Sequence, residues 1–180
     1  MVHVRTTGFN QHEEPVLSYC RWVMVNKKNA DAPAPAAVAP ALADAVAASD
    51  LVLPGGLSFT SYDAGLAGGP HYFEDYAIGE KIDHVDGMTV EEAEHQIATR
   101  LYQNTAKVHF DAVQQQSSRF GKRLIYGGVV ISIARALSFN GLANAGLWLA
   151  INGGRHVAPL FAGDTVYAWS EVLDTASLSD

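Results

Sequence analysis

The chain of 180 residues holds a single cysteine, Cys20. A lone thiol rules out an intramolecular disulfide, and with it the stapled frameworks of small secreted domains. Basic residues are also scarce, 12 Lys and Arg against 19 Asp and Glu, for a formal charge of −7. Nucleic-acid binders need a basic stripe, and anionic membrane surfaces attract one, so neither partner is expected. The longest mostly apolar stretch, Gly127 to Leu142, is broken by Ser132, Arg135 and Ser138. It falls short of the roughly 20 residues a membrane helix needs. No leader with a basic start, an apolar stretch and a small-residue cleavage site is visible, and a cytoplasmic location is the expectation. The chain lacks a Gly-x-Gly-x-x-Gly fingerprint, a Walker loop and a Gly-x-Ser-x-Gly elbow. Its seven histidines lack paired metal spacing, and Cys20 has no thiol partner for zinc.

What is present points to a packed α+β protein, with 48% hydrophobic and only 17% charged residues. Residues 2–9 and 16–27 predict two strands, joined through the polar run Asn10 to Glu14 and Pro15. A lone hairpin is marginal in water and must pack on something. Between Ala30 and Ser49 the composition collapses to alanine and proline. Pro33, Pro35 and Pro40 prevent a continuous helix, although 41–48 has room for a short one. Residues 51–70 stay irregular. A strand is predicted over 80–88, and Thr89 with Glu92 reads as a capping box that starts a helix. Val90, Ala93, Ile97 and Leu101 recur at helical spacing and predict its buried stripe. A non-helical segment, 103–111, then carries His109, and a short polar helix is expected near 112–118. Gly127 to Phe139 predicts a helix apolar nearly all round, and hence buried, stopped by Asn140-Gly141. Strands are predicted over 147–158 and 164–173, joined at Pro159 to Gly163. A central apolar helix followed by antiparallel strands suggests a sheet wrapped around one helix.

Three stretches carry a family resemblance. Tyr72-Phe73-Glu74-Asp75-Tyr76 with Ile78-Gly79-Glu80 is the first. LYQNTAKVHFDA (101–112) lies where hydratases of one family carry Asp-x-Asn-Pro-x-His, and INGGRHVAPLFAGDTVYAWSEVL (151–173) surrounds a Pro-x-x-x-Gly-Asp turn. Together they resemble the MaoC-like hot-dog dehydratases over residues 71–173. The finer wording of NTAKVHFD, RLIYGG, ARALSFNGLANA and INGGRHVAP is similar to a subgroup that hydrates mesaconyl-CoA and joins two hot-dog halves in one chain. The resemblance implies a hot-dog fold within a double hot-dog. On it, 1–28 is a hairpin like the end of a first half, 29–70 a linker, and 71–180 the second half without its last strands. The chain then looks clipped at both ends.

The implied reaction adds water across the double bond of an enoyl-CoA thioester, from mesaconyl-CoA to β-methylmalyl-CoA. Coenzyme A enters as part of the substrate, and no metal or redox cofactor is required. Such a reaction needs a base for the attacking water and donors for the enolate oxygen. His109 matches the motif histidine, and an imidazole both takes and returns a proton near neutral pH. Asn104 stands where relatives carry aspartate, and an amide orients water but does not accept its proton as a carboxylate does. Ala106 and Lys107 also depart from the motif. Either His109 works with Asn104, or a carboxylate such as Asp111 helps, or activity is lost; the first is favoured. The family places a backbone donor at Gly127, with Gly128 beside it, and a helix start with no side chain in the way suits the thioester oxygen. Tyr126 is placed to line the pocket. Lys122 and Arg123 suit coenzyme A phosphates, though a solvated basic pair is the plainer explanation. Arg155 and His156 either pair with Asp164 or another acid, or read the free carboxylate of a mesaconyl group. The competing reading is an acyl-CoA-binding or assembly module without turnover. A homodimer or higher oligomer is expected, because a hairpin with open edges seeks a partner.

Overall fold

The computed structural model describes residues 1–36, 38 and 41–178. Two compact units divide the chain, Met1–Ala43 and Asp44–Asp180.

The first unit is the expected hairpin. Strand β1 (Val2–Phe9) pairs antiparallel with β2 (Pro15–Val23), Val2 facing Val23 and Gly8 facing Leu17, with a shift in register at Phe9. Asn10 turns the chain by accepting the amides of His12 and Glu14 on its side-chain oxygen, 2.9 and 3.1 Å away. β2 stops at Val23, which faces Val2, rather than running to residue 27. No described side chain of the hairpin is buried within this chain.

In the second unit, residues 44–70 hold mostly irregular backbone, and part of it is tied down. The Val46 amide donates to the Asn152 side chain, and the Tyr62 hydroxyl donates to Asn144. The short helix expected over 41–48 does not form; one 3-10 turn occupies Ala48–Asp50. Of the linker prolines, Pro40 lies outside the described residues. Helix α1 (Ala64–Ala67) is a single turn capped by Asp63, whose carboxylate accepts the amides of Gly65 and Leu66.

Strand β3 (Lys81–Thr89) follows, then α2 (Glu92–Leu101), α3 (Lys107–Phe110), α4 (Ala112–Gln115), α5 (Gly127–Leu137), α6 (Phe139–Leu142) and β4 (Thr165–Glu171). β3 and β4 pair antiparallel, Lys81 opposite Glu171 and Thr89 opposite Thr165. β4 alternates as a half-buried strand should, with Val166 and Ala168 packed on the core and Tyr167 and Trp169 exposed. The core is Val90, Ile125, Val129, Ile133 and Leu137, so α5 lies against the sheet with one apolar stripe at i, i+4 and i+8. Its other side is less covered than the all-round apolar pattern predicts, and Ile131 is half exposed.

A bulge fixes the far end of α5. Three residues of β3, His84 to Asp86, stand between the pairs Asp83–Trp169 and Gly87–Tyr167, with Val85 at φ +62°. The kink drives His84 into the interior. Its Nδ1–H donates to the Asn140 carbonyl at 2.6 Å, and its Nε2 accepts from the Ser170 hydroxyl at 2.8 Å. Asn140 returns the contact, donating to the His84 carbonyl and to Asp86. Gly141 has left-handed backbone, at φ +106°, and a Cβ there would run into Ile82, but it lies within α6: α5 already stops at Leu137, with Ser138 as its C-cap, rather than at Phe139.

Four further expectations are corrected. Thr89 and Glu92 form no capping box: the Thr89 hydroxyl bonds to Thr165 across the sheet, and Glu92 pairs with Arg123. The buried face of α2 is also not the one its periodicity suggests. Ile97 and Leu101 are 59% and 71% exposed, whereas His95 and Thr99 are buried. Hydrophobicity alone cannot choose that side, because the buried face carries polar groups with partners waiting for them. His109 stands on the single turn α3 and not in non-helical backbone. Residues 147–158 form no strand, since no backbone lies alongside to complete a ladder among the described residues.

Ile133→Ala is expected to lower the free energy of urea unfolding by about 3 kcal/mol, the scale of a buried large-to-small change. Ile131→Ala should cost less than about 1 kcal/mol, as exposed sites do. Equal costs would contradict the assignment of the buried face of α5.

Candidate active site

The site is organised around three residues that lead into α5. Leu124, Ile125 and Tyr126 make a hydrogen bond from every amide, each to a different element. The Leu124 amide donates to the Val108 carbonyl on α3 at 3.0 Å, and that of Ile125 to Leu160 at 2.9 Å. The Tyr126 amide donates to Nε2 of His95 on α2, at 2.8 Å. The carbonyl of Leu124 accepts from Nδ1 of His109 at 3.0 Å.

That last contact fixes one proton of His109. A carbonyl only accepts, so Nδ1 carries a proton, and in the neutral ring Nε2 keeps its lone pair. The ring lies 5.8 Å from the Tyr126 ring and 6.3 Å, edge-on, from that of His95. An imidazole with a bare nitrogen thus stands beside the residue that caps α5.

Tyr126 is the N-cap residue of α5 and makes no side-chain cap bond. Gly127 and Gly128 follow in the first turn, and their amides meet no protein acceptor among the described residues. A helix start with free N–H groups and a positive dipole end attracts an oxyanion. The absent side chain at Gly127 also has a local cause: a Cβ there would collide with the imidazole of His156. At Gly128 it would press on the Tyr126 ring, at 2.8 Å.

A cavity of about 550 Å3 opens between α2 and α5. Glu94, Ala98, Tyr102, Tyr126, Gly128 and Ser132 are among its lining, which is mainly apolar. A second, of about 250 Å3, is bordered by Glu92, His95, Lys122 and Arg123.

The sequence-derived candidates fall into two groups. His109 stands beside Tyr126, which Gly127 and Gly128 follow in the chain; Tyr126 and Gly128 wall the larger cavity, whose lining does not include His109. Asn104 is turned to its own loop. Its side-chain oxygen accepts the Ala106 amide at 3.0 Å, and its backbone N–H donates to the Thr99 carbonyl. Asp111 caps α4, accepting from the Gln114 amide at 2.9 Å. Arg123 pairs with Glu92 and reaches the Phe110 carbonyl, and Lys122 lies 4.1 Å from the centre of the Phe161 ring. Asp164 accepts the Phe161 amide, and neither Arg155 nor His156 is paired with it among the described residues.

His95 was not a candidate from sequence. It is 1% exposed, and burial holds its imidazole below the ordinary range. The nearby His109 and Arg123 push the same way, against a smaller opposing effect from Glu92. Its signal in the sequence is faint: Thr99 lies four residues on, which makes a polar pair on one helical face.

No family model matches the chain. Its sequence is 66% identical over 180 residues to mesaconyl-CoA hydratase of Cereibacter sphaeroides, covering 100% of this chain and 52% of that protein. It is 57% identical over 173 residues to beta-methylmalyl-CoA dehydratase of Chloroflexus aurantiacus, covering 96% and 49%. A solved MaoC domain protein dehydratase from Chloroflexus aurantiacus matches with a TM-score of 0.90 at 56% identity, over 96% of this chain and 49% of that one. The monoamine oxidase regulatory protein from Archaeoglobus fulgius matches more distantly, with a TM-score of 0.54 at 29% identity, over 62% and 76%. The chain belongs to the MaoC-like dehydratases of hot-dog fold. Among them it is similar to mesaconyl-CoA hydratase, and it spans about half the length of the curated relatives it matches. No helix among the described residues is long and apolar enough to cross a membrane.

The lowered imidazole gives a stability prediction. Unfolded chains take up a proton on His95 near the ordinary value of about 6.5, whereas the folded chain resists until lower pH. Stability is therefore full above that value and is lost as the pH falls toward the folded one. Melting followed by circular dichroism should show the midpoint dropping below about pH 6.5, and less steeply in His95→Gln. An identical slope in the variant would contradict this.

Proposed function

We propose that the chain carries the catalytic half-site of a hydro-lyase that adds water to mesaconyl-CoA, giving β-methylmalyl-CoA, or removes it in reverse. The observation that carries this reading is the His109 ring, held through Nδ1 on the Leu124 carbonyl and 5.8 Å from the ring of Tyr126, the residue that precedes the free amides of Gly127 and Gly128. The 66% identity to a mesaconyl-CoA hydratase supports the choice of substrate.

In this reading the thioester oxygen meets the Gly127 amide, with Gly128 as its neighbour. As water attacks the β-carbon, electron density moves through the alkene to that oxygen. Preorganised donors stabilise the charge without reorganising, an effect worth several kcal/mol at about 3 Å. His109 takes the proton from water at Nε2, and the resulting imidazolium returns a proton to the α-carbon. Its Nδ1–H stays on the Leu124 carbonyl throughout and fixes the ring. Asn104 orients the water through its side-chain amide N–H, which donates to the water oxygen, since its own oxygen is occupied by the Ala106 amide. Tyr126 lines the acyl pocket, and the apolar cavity between α2 and α5 accommodates the chain of the substrate. Water addition transfers no electrons to an acceptor, so the reaction requires no redox group. Coenzyme A enters with the substrate.

The engaged Asn104 oxygen is also what favours a second reading, acyl-CoA binding without turnover. A cytoplasmic homodimer belongs to the same proposal, the hairpin edges supplying the motive for association. Sedimentation at micromolar concentration should show a dimer, and a monomer alone would remove that part.

Loss of the enoyl-thioester absorbance on mixing with mesaconyl-CoA measures turnover. His109→Ala should lower kcat by about 100-fold or more, the usual worth of a general base. Full activity in that variant would eliminate the assignment. Binding of the ester by the wild-type chain without any loss of absorbance would favour the second reading.

A further inference from the structure

We propose that His95 is a positioning residue for the hydration: its unprotonated Nε2 anchors the Tyr126 amide, so that the first turn of α5 presents its donors to the thioester, and protonation of His95 releases them. The proposal rests on the functional reading above and names a requirement that reading does not contain.

Helix starts are ordinarily fixed from within, by a Ser, Thr, Asp or Asn side chain at the N-cap. Here the N-cap is Tyr126 and its side chain caps nothing. The start of α5 is instead held from outside, by the 2.8 Å bond from the Tyr126 amide to His95 on α2. An amide only donates, so Nε2 must keep its lone pair and the ring must be neutral at that nitrogen. A proton on Nε2 would set N–H against N–H at the residue that precedes Gly127.

The surroundings oppose that proton. The His109 ring meets His95 edge-on from α3, Arg123 approaches from the segment before α5, and Lys122 borders the same small cavity. On its own helix, Glu92 borders that cavity and is already paired with Arg123. Gln96 lies 3.5 Å from Nδ1 while donating to the His109 carbonyl at 3.0 Å, which links the two histidine-bearing elements. His95 therefore resists protonation, and its contact fails only when the solution turns acid. Oxyanion donors act over a few tenths of an ångström, and a misplacement of about 1 Å costs on the order of 100-fold in rate. A fault at His95 thus reaches the thioester oxygen through the backbone of Tyr126.

Two readouts test this, and the first needs no substrate. In the 15N NMR spectrum of the wild-type chain, His95 Nε2 should resonate as an unprotonated nitrogen at neutral pH. The Tyr126 amide signal should move as the pH is lowered from about 8 to 4.5, with a midpoint below that of exposed histidines. A Tyr126 amide indifferent to pH over that range overturns the proposal, whether or not the chain hydrates anything and whether or not any variant folds. The second readout is the pH profile of kcat/KM with mesaconyl-CoA. The wild-type logarithm should fall into acid with a limiting slope of about two, because His109 and His95 must both be unprotonated. His95→Gln keeps an acceptor that does not titrate in this range, so its slope should be about one. Its kcat at neutral pH should exceed that of His95→Ala by about tenfold or more, with KM little changed. A limiting slope of two in His95→Gln, or full activity in His95→Ala, overturns the proposal; a merely structural histidine would alter the melting midpoint and leave the slope alone. A wild-type chain that shows the NMR titration but hydrates no enoyl-CoA overturns the functional reading, and the role in hydration with it, while the anchoring contact stands.

Discussion

The three-residue run Leu124–Tyr126 is the constraint on which the rest of the site depends. Each of its amides is held by a different element: Val108 on α3, Leu160 ahead of β4, and His95 on α2. Its first carbonyl in turn fixes the His109 ring. Buried backbone groups without partners cost free energy, so a run with every amide satisfied has one favoured position. Because α5 begins at the next residue, the place of the helix start and that of the imidazole are set by the same short segment.

The opposite end of α5 is pinned by a matching device. The bulge in β3 buries His84, which bonds at once to Asn140 in α6, three residues past the end of α5, and to Ser170 on β4. Both wholly buried histidines are thus hydrogen-bonded between secondary elements, as buried polar groups must be. Between the two anchors Val129, Ile133 and Leu137 supply the apolar burial. The helix is consequently fixed in rotation as well as in position, and its first turn cannot drift without breaking a buried contact.

Much of this was legible in the sequence, and for identifiable reasons. The hairpin showed in its alternation and turn residues, α5 in its apolar run, and the left-handed backbone of Gly141 in a dipeptide with a conformational meaning, although α5 stops four residues earlier, at Leu137. His109 was named through a motif, and the fold sets its ring 5.8 Å from that of Tyr126, the residue before Gly127 and Gly128. The failures share a cause. Ile97 and Leu101 fit a helical stripe, but spacing does not say which face meets the core, and the buried face belongs to His95 and Thr99. Residues 147–158 have strand composition, yet a strand exists only where a neighbour completes the ladder. The Thr89 and Glu92 pair fits a capping box, but tertiary partners, Thr165 and Arg123, claim both side chains. Each error came from treating as local a choice that is made by contacts distant in sequence. His95 was missed for the same reason: nothing near it in the chain announces that a backbone amide 31 residues on requires its lone pair.

The central claim is spatial, that one imidazole and the opening amides of one helix act on the same enoyl thioester. A crystal structure of the chain with a bound, unreactive enoyl-CoA analogue tests it most directly. The account predicts the thioester oxygen at about 3 Å from the Gly127 or Gly128 amide, and the β-carbon within one water of His109 Nε2. An analogue seated in the cavity between α2 and α5 with its carbonyl turned away from the helix start would contradict it.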